Sequence, residues 1–271
     1  MKALEFGSCT WEWGRKTYIM GILNVTPDSF SDGGNFDKEE AALKHALRMA
    51  KEGADIIDVG GESTRPGSSP VTAGEEIARV TGIIQLLSSE LLLPVSIDTY
   101  RAKTAEAAIK AGATMINDIW GLKHDPEMAS VAASCNVPVC IMHNRTTGTG
   151  YRNLIEDMLA ELEESIEIAV NAGMKADKLI IDPGIGFAKT WEQNVEVMKH
   201  LEEFKRLGYP ILLGASRKSF IGRILDLEVN SRLEGTLAVT AAGIMKGADI
   251  VRVHDVLENV RVSKMIDSIV R

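Results

Sequence analysis

Polar side chains able to recognise or react with a ligand recur at one kind of position in this chain, at or soon after the end of a short apolar run. Asn24, Asp58, Asp98, Asn117, His143, Asp182, Lys218, Arg252 and His254 all stand in such places. Asp98, Asn117 and Asp182 offer acceptors and one amide, and Lys218 offers donors. That set suits a flat heterocycle with alternating donors and acceptors. A carboxylate takes two parallel hydrogen bonds from an amidine-like edge, as it does from guanidinium. Arg252 and His254 bracket Val253, and alternate strand residues point the same way. Both side chains are therefore expected to face one point and to make an anion site suited to phosphate. No Walker-type loop is present, so side chains and helix ends would hold the phosphate. Asn24 offers one oxygen to a metal. Mg²⁺ there would rely on substrate phosphates and water for its other ligands.

Each residue also has a structural reading, as a helix cap or a closer of a turn. Asp58, before Val59-Gly60-Gly61, reads as a carboxylate that bonds loop amides. Asp118 reads as satisfying its own turn, His143 as a packed neutral histidine, and Arg65 as a solvated loop residue. Nine such coincidences at one rim are harder to explain than one pocket.

The elements that must position this set alternate along the chain. Apolar runs at 18–23, 54–61, 94–98, 114–118, 137–142, 178–182, 211–214 and 250–254 read as strands. Amphipathic stretches at 38–52, 73–87, 101–111, 126–134, 151–172, 190–207, 231–246 and 255–270 read as the helices that follow them. Asp37 is expected to cap the first helix, and Gly53 to stop it. Alternating βα units with apolar strands imply a parallel sheet. Eight of them in a 271-residue chain fit an α/β fold, a single (β/α)8 (TIM) barrel domain spanning residues 1–271, with its site at the C-terminal strand ends. An open doubly wound sheet is the alternative, weakened by the absence of GxGxxG after the first strand. Two loops at that rim are rich in Gly, Pro, Ser and Thr, at residues 25–36 and 62–70. Phe30 stands alone as an aromatic in the first.

Composition narrows the function. The chain is 45% hydrophobic and 25% charged, an ordinary globular balance. A net charge of −8 argues against a broad nucleic-acid or membrane footprint. Three widely spaced cysteines, Cys9, Cys135 and Cys140, fit a reduced cytoplasmic protein and show no zinc spacing. The N-terminus has no apolar signal core, and no run of about 18 apolar residues predicts a membrane span.

The motifs, taken together, resemble one family. Residues 24–34, Asn-Val-Thr-Pro-Asp-Ser-Phe-Ser-Asp-Gly-Gly, are similar to the first signature of the dihydropteroate synthases, a family of pterin-binding enzymes. Residues 60–67, Gly-Gly-Glu-Ser-Thr-Arg-Pro-Gly, resemble their second loop. Ile97-Asp98-Thr99, Ile116-Asn117-Asp118, residues 182–187, residues 216–219 and Arg252-Val253-His254 follow in order. His143-Asn144-Arg145 departs from the Met-His-Met form of the fifth strand end. The resemblance covers essentially the whole chain. It implies an enzyme of folate biosynthesis that joins 6-hydroxymethyl-7,8-dihydropterin diphosphate to 4-aminobenzoate. By the same resemblance Asp98, Asn117, Met142, Asp182, Phe187, Gly214 and Lys218 would meet the pterin. Asn24, Thr64, Arg65, Arg252 and His254 would hold the diphosphate, with Mg²⁺ as cofactor on Asn24. Phe30, Pro66, Lys218 and Ser219 would hold 4-aminobenzoate, the molecule that sulfonamides mimic in this family. Asp98, Lys218, Arg252, His254, Phe30 and Asp32 would be catalytic, and the protein a cytoplasmic homodimer. The competing expectations are a corrinoid-dependent methyltetrahydrofolate methyltransferase domain, a non-catalytic pterin-binding paralogue and a phosphosugar isomerase or aldolase barrel. The methyltransferase has no use for a diphosphate site. The paralogue would usually have lost the loop residues. The phosphosugar barrel leaves the acceptor set unexplained.

Overall fold

The computed structural model describes residues 3–7, 9–25, 35–63, 71–146 and 150–271, the stretch 35–38 by its backbone alone. An antiparallel hairpin opens the chain, β1 (Ala3–Phe6) and β2 (Cys9–Glu12). Eight strands then form one sheet: β3 (Tyr18–Asn24), β4 (Ile56–Gly60), β5 (Val95–Asp98), β6 (Met115–Asp118), β7 (Val139–Met142), β8 (Leu179–Asp182), β9 (Leu212–Leu213) and β10 (Ile250–Val253). All of their pairings are parallel, from β8 round through β3 to β10 and β9. A single parallel bridge, Ile181 to Ile211, joins β8 to the β9 side and closes the barrel. The expected eight-stranded α/β barrel is the observed one.

Parallel strands covered on both sides are buried throughout, so the strands read as continuous apolar runs. Their period of two divides them between two cores. Ile19, Ile57, Ile97, Ile116, Ile141, Ile181 and Val251 face outward to the helices. Met20, Ile56, Met115, Cys140, Ile180, Leu212 and Ile250 fill the inside. Leu4, Phe6 and Trp11 of the hairpin belong to that inner core, so the hairpin plugs the N-terminal end of the barrel. Trp11 stacks on Tyr18 with ring centroids 4.3 Å apart. The hairpin was not expected. Its signal was present in the alternating Leu4/Phe6 and Trp11/Trp13 pattern around Gly7.

The helices are α1 (Asn35–Glu52), α2 (Ala73–Glu90), α3 (Ala102–Lys110), α4 (Met128–Cys135), α5 (Leu154–Asn171), α6 (Trp191–Lys199), α7 (Ser219–Leu225), α8 (Leu233–Met245) and α9 (Val256–Val270). Beyond shifts of a few residues at helix ends, three features differ from expectation. α1 begins at Asn35, which puts Asp37 inside its first turn rather than at its cap. The stretch expected as one helix over 190–207 is α6 followed by a 3-10 segment, Leu201–Leu207. Leu201, Phe204 and Leu207 repeat every three residues, which is the period of that tighter helix. The short helix α7 lies in a stretch left without an element by sequence periodicity. Thr72 and Glu75 form a capping box at the start of α2, and Thr190 and Gln193 form another at α6.

Trp11→Ala is expected to destabilise the protein by about 3–5 kcal/mol, the usual cost of emptying a buried aromatic site. Urea unfolding measures it. A cost near zero would show that the hairpin does not support the barrel floor.

Candidate active site

The inner faces of the strands carry the site one step above the floor. Two residues beyond Ile56, Met115, Cys140, Ile180, Leu212 and Ile250 stand Asp58, Asn117, Met142, Asp182, Gly214 and Arg252. The period of two aims them all into the barrel mouth. Strand register lines up Asn24, Gly60, Asp98 and Asn117 across β3 to β6. His143 and Asp118 have the opposite parity and leave the mouth. Both Asp118 oxygens accept loop N–H groups, from Trp120 and Leu122 at 2.8 Å. His143 turns toward α5 and lies 3.1 Å from Glu161. Burial, the largest influence, lowers its pKa to about 4, so it is neutral. These two structural expectations hold.

The reading of Asp58 as a binder of loop amides does not hold. Its Oδ2 accepts Arg252 Nε at 2.6 Å and Asn117 Nδ2 at 3.1 Å inside the barrel. Arg252 reaches across with Nη2 to Asp98 Oδ2, also at 2.6 Å. One guanidinium thus joins two carboxylates that would repel each other without it. Its position between them keeps Arg252 protonated, against the cost of its burial. Three of its five N–H donors stay outside these bonds and can meet an anion. Burial raises Asp98 to about 7 even though Arg252 pulls it down. The His254 ring sits 3.0 Å from the Ser216 hydroxyl.

Asp182 is held by its own loop. Gly184 N–H donates to its Oδ1 at 2.7 Å, and burial raises its pKa to about 6. Gly214 makes room beside it, since a Cβ there would stand 3.4 Å from Asp182 Oδ2. Lys218 comes from the turn after β9. Arg217 fixes that turn, with backbone φ +56°, by pairing its guanidinium with Asp255 and donating its N–H to Thr236 Oγ1 at 3.0 Å. The Lys218 ammonium lies 4.1 Å from the Phe187 ring centroid. Its stem passes so close to Gly186 that a Cβ there would stand 2.8 Å from Lys218 Cδ. Burial and Arg252 lower Lys218 to about 8, against the pull of Asp182 and Asp98. Ser219 follows as the exposed first residue of α7. Met142 is buried and its side chain packs at Gly184.

Phe30, Asp32, Thr64, Arg65 and Pro66 lie outside the described residues. Among the described residues, no group of three or more His, Cys, Asp and Glu side chains can hold a metal. Asn24 Oδ1 and Asp98 Oδ2 flank Gly60, each within 3.7 Å of where its Cβ would be. A single amide oxygen of that kind fits an ion carried in by phosphate, and does not fit a resident protein-caged metal. No helix among the described residues is long and apolar enough to cross a membrane.

Residues 20–254 match the model of the family described as pterin binding enzyme. The chain belongs to that family. A dihydropteroate synthase from Clostridium beijerinckii is 60% identical over 99% of this chain and 100% of its own length. The structure of Clostridium difficile dihydropteroate synthase in the presence of pteroic acid superposes with a TM-score of 0.94, at 54% identity, over 96% of this chain and 99% of that one. A Xanthomonas albilineans dihydropteroate synthase with 4-aminobenzoic acid gives a TM-score of 0.94 at 39% identity, over 99% and 98%. Within the pterin-binding enzymes, the chain belongs to the dihydropteroate synthases. Sequence alone missed three contributors to this family site: Asp58 as partner of Arg252, and Lys189 and Asn194 behind the loop after β8. Asp58 shares the parity of Asp98 and Asn117, which was a usable signal.

His143 gives a pH test. Its folded pKa, about 4, lies below the ordinary histidine value of 6.5. The unfolded chain therefore binds more protons between these values, and stability falls as pH drops through that window. His143→Gln should remove this part of the slope in urea titrations between pH 6.5 and 4. An unchanged slope would mean that His143 is not held neutral.

Proposed function

We infer that this barrel condenses 6-hydroxymethyl-7,8-dihydropterin diphosphate with 4-aminobenzoate to give 7,8-dihydropteroate and diphosphate. The observation that carries this reading is the inward ring of Asp98, Asn117 and Asp182 above an apolar floor, with Lys218 at its edge. Asn117 gives one of its two amide N–H groups to Asp58, and its carbonyl oxygen remains an acceptor for the ligand. Asp182, oriented by Gly184, accepts from the amino and ring N–H groups of the pterin's amidine-like edge. Lys218 donates to the opposite edge, and Asp98 lies beside the ring. No corrinoid partner is needed to account for Arg252 at this rim.

Arg252, with its remaining N–H donors, and His254 take the diphosphate. Mg²⁺ bound with the substrate would use Asn24 as its protein ligand and supply charge neutralisation to the leaving group. The bond between the pterin methylene and the diphosphate oxygen breaks with its electrons leaving on oxygen. The electron-rich dihydropterin stabilises the cation that remains. The aryl amine is neutral, so its lone pair forms the new C–N bond without a prior deprotonation. Its N–H proton is lost afterwards, and no protein base is obligatory. Residues 25–36 and 62–70 would contribute Phe30, Asp32, Thr64, Arg65 and Pro66, with Ser219 and the Lys218 stem beside the aminobenzoate. Keeping water away from the cation is their expected task. A homodimer belongs to the proposal through the family resemblance. Three free thiols accord with a reducing, cytoplasmic setting.

Incubation with the dihydropterin diphosphate, Mg²⁺ and 4-aminobenzoate should release diphosphate and give a product of dihydropteroate mass. Lys218→Ala and Arg252→Ala should each lower kcat/KM by roughly a hundredfold or more, as expected for lost electrostatic groups at a reacting centre. Replacing Phe30 and Asp32 should lower turnover more than pterin affinity. Pterin binding without diphosphate release would support the non-catalytic paralogue instead.

A further inference from the structure

The loop at residues 183–187 holds the Asp182 carboxylate by Gly184 N–H and presents Phe187 to Lys218. Its backbone is irregular. Gly184, Gly186 and Ala188 all have positive φ, at +68°, +84° and +48°. Ala188, the residue that follows the loop, has a side chain, so its left-handed conformation is strained. Such a loop keeps one shape only if something outside it fixes its backbone groups.

Lys189 does this from behind. Its ammonium lies 3.0 Å from Gly184 O, 3.1 Å from Phe187 O and 3.1 Å from His143 Nδ1. An ammonium has three donors, and here each has one acceptor. Asn194 takes the Gly186 N–H at 2.6 Å. His143 is fixed in turn by Glu161, which also binds Arg145, and Arg145 lies over the Tyr151 ring at 4.1 Å. Burial brings Lys189 down to about 7. A neutral amine would still have two N–H groups for the two carbonyls and would lose only its bond to His143 Nδ1, because the neutral ring directs its one N–H at Glu161. The hold on the loop therefore survives either protonation state.

We propose that Lys189 is a positioning residue for the pterin: by clamping the carbonyls of Gly184 and Phe187 it sets the Asp182 carboxylate and the Phe187 face that Lys218 lies against. This deepens the functional reading above and rests on it. Lys189 touches the loop from its outer side, whereas Asp182 and Lys218 face the mouth. Its loss should therefore act on pterin recognition far more than on aminobenzoate recognition, which shares only the Lys218 stem with this set.

The test measures KM for both substrates, and the Kd of dihydropterin diphosphate by calorimetry, in the wild type, Lys189→Met and Lys189→Arg. Lys189→Met keeps the length and removes the donors. It should raise the pterin KM and Kd about tenfold or more and leave the aminobenzoate KM within about twofold. Lys189→Arg keeps donors but cannot set them on three acceptors at once, and should give a smaller rise of the same kind. If Lys189→Met does not fold, the Lys189→Arg comparison decides. An unchanged pterin Kd, or an equal rise in both KM values, overturns the proposal. Calorimetry separates this failure from failure of the functional reading. A wild type that binds the pterin but makes no dihydropteroate defeats only the reaction, and one that binds no pterin defeats both.

Discussion

A closed barrel of parallel strands has one interior, and the period of two along each strand decides which residues enter it. Almost everything about the mouth depends on that parity. Met20, Ile56, Met115, Cys140, Ile180, Leu212 and Ile250 make a dry floor, and the next inward positions are polar. The change from apolar to polar between successive inward layers is the site. Outward residues at the same height, such as Ile141 and Val251, pack on helices and keep the strands in place. A slip of one residue in any strand would exchange the two sets.

The polar layer is an electrostatic compromise. Asp58 and Asp182 are buried in the mouth beside Asp98, and burial raises the pKa of Asp98 and of Asp182. Arg252 is shared between Asp58 and Asp98, while Gly184 N–H and Lys218 offset Asp182. The cations answer the same field, since Lys218 is lowered by burial and raised by its acidic neighbours. A pterin that offers N–H groups to the carboxylates and a diphosphate that meets the guanidinium would satisfy both signs together. That balance explains why an acidic chain can still receive an anionic substrate.

Much of this was legible in the chain. Eight apolar runs followed by helices are a strong signal, and the strand-end residues could be named from position alone. The same parity that aims Arg252 and His254 alike also separates Met142 from His143 and Asp58 from Val59. The hairpin floor was missed because Leu4, Phe6, Trp11 and Trp13 alternate with polar residues and form no continuous apolar run like those of the barrel strands. The break after Lys199 was missed because the apolar repeat continues across it with a different period. Lys189 has no local signal at all. Its acceptors belong to two separate segments, and only the folded chain brings His143 to the back of the loop it holds. Phe30, Asp32, Thr64, Arg65 and Pro66 come from the motif, and the described residues do not extend to them.

The barrel's closure has a consequence for ligand binding. Around the sheet the strands are joined by ladders of two to five registered pairs, but between β8 and β9 there is one bridge, Ile181 to Ile211, beside the Ile181 N–H to Pro210 O bond of 3.0 Å. Directly above this seam, Asp182 stands on one side, with Gly214 and the turn leading to Lys218 on the other. A molecule that bonds to Asp182 and Lys218 together spans the gap as a rung spans two rails. Its affinity then includes the work of holding the cylinder shut, and occupancy of the mouth becomes part of what keeps the barrel whole.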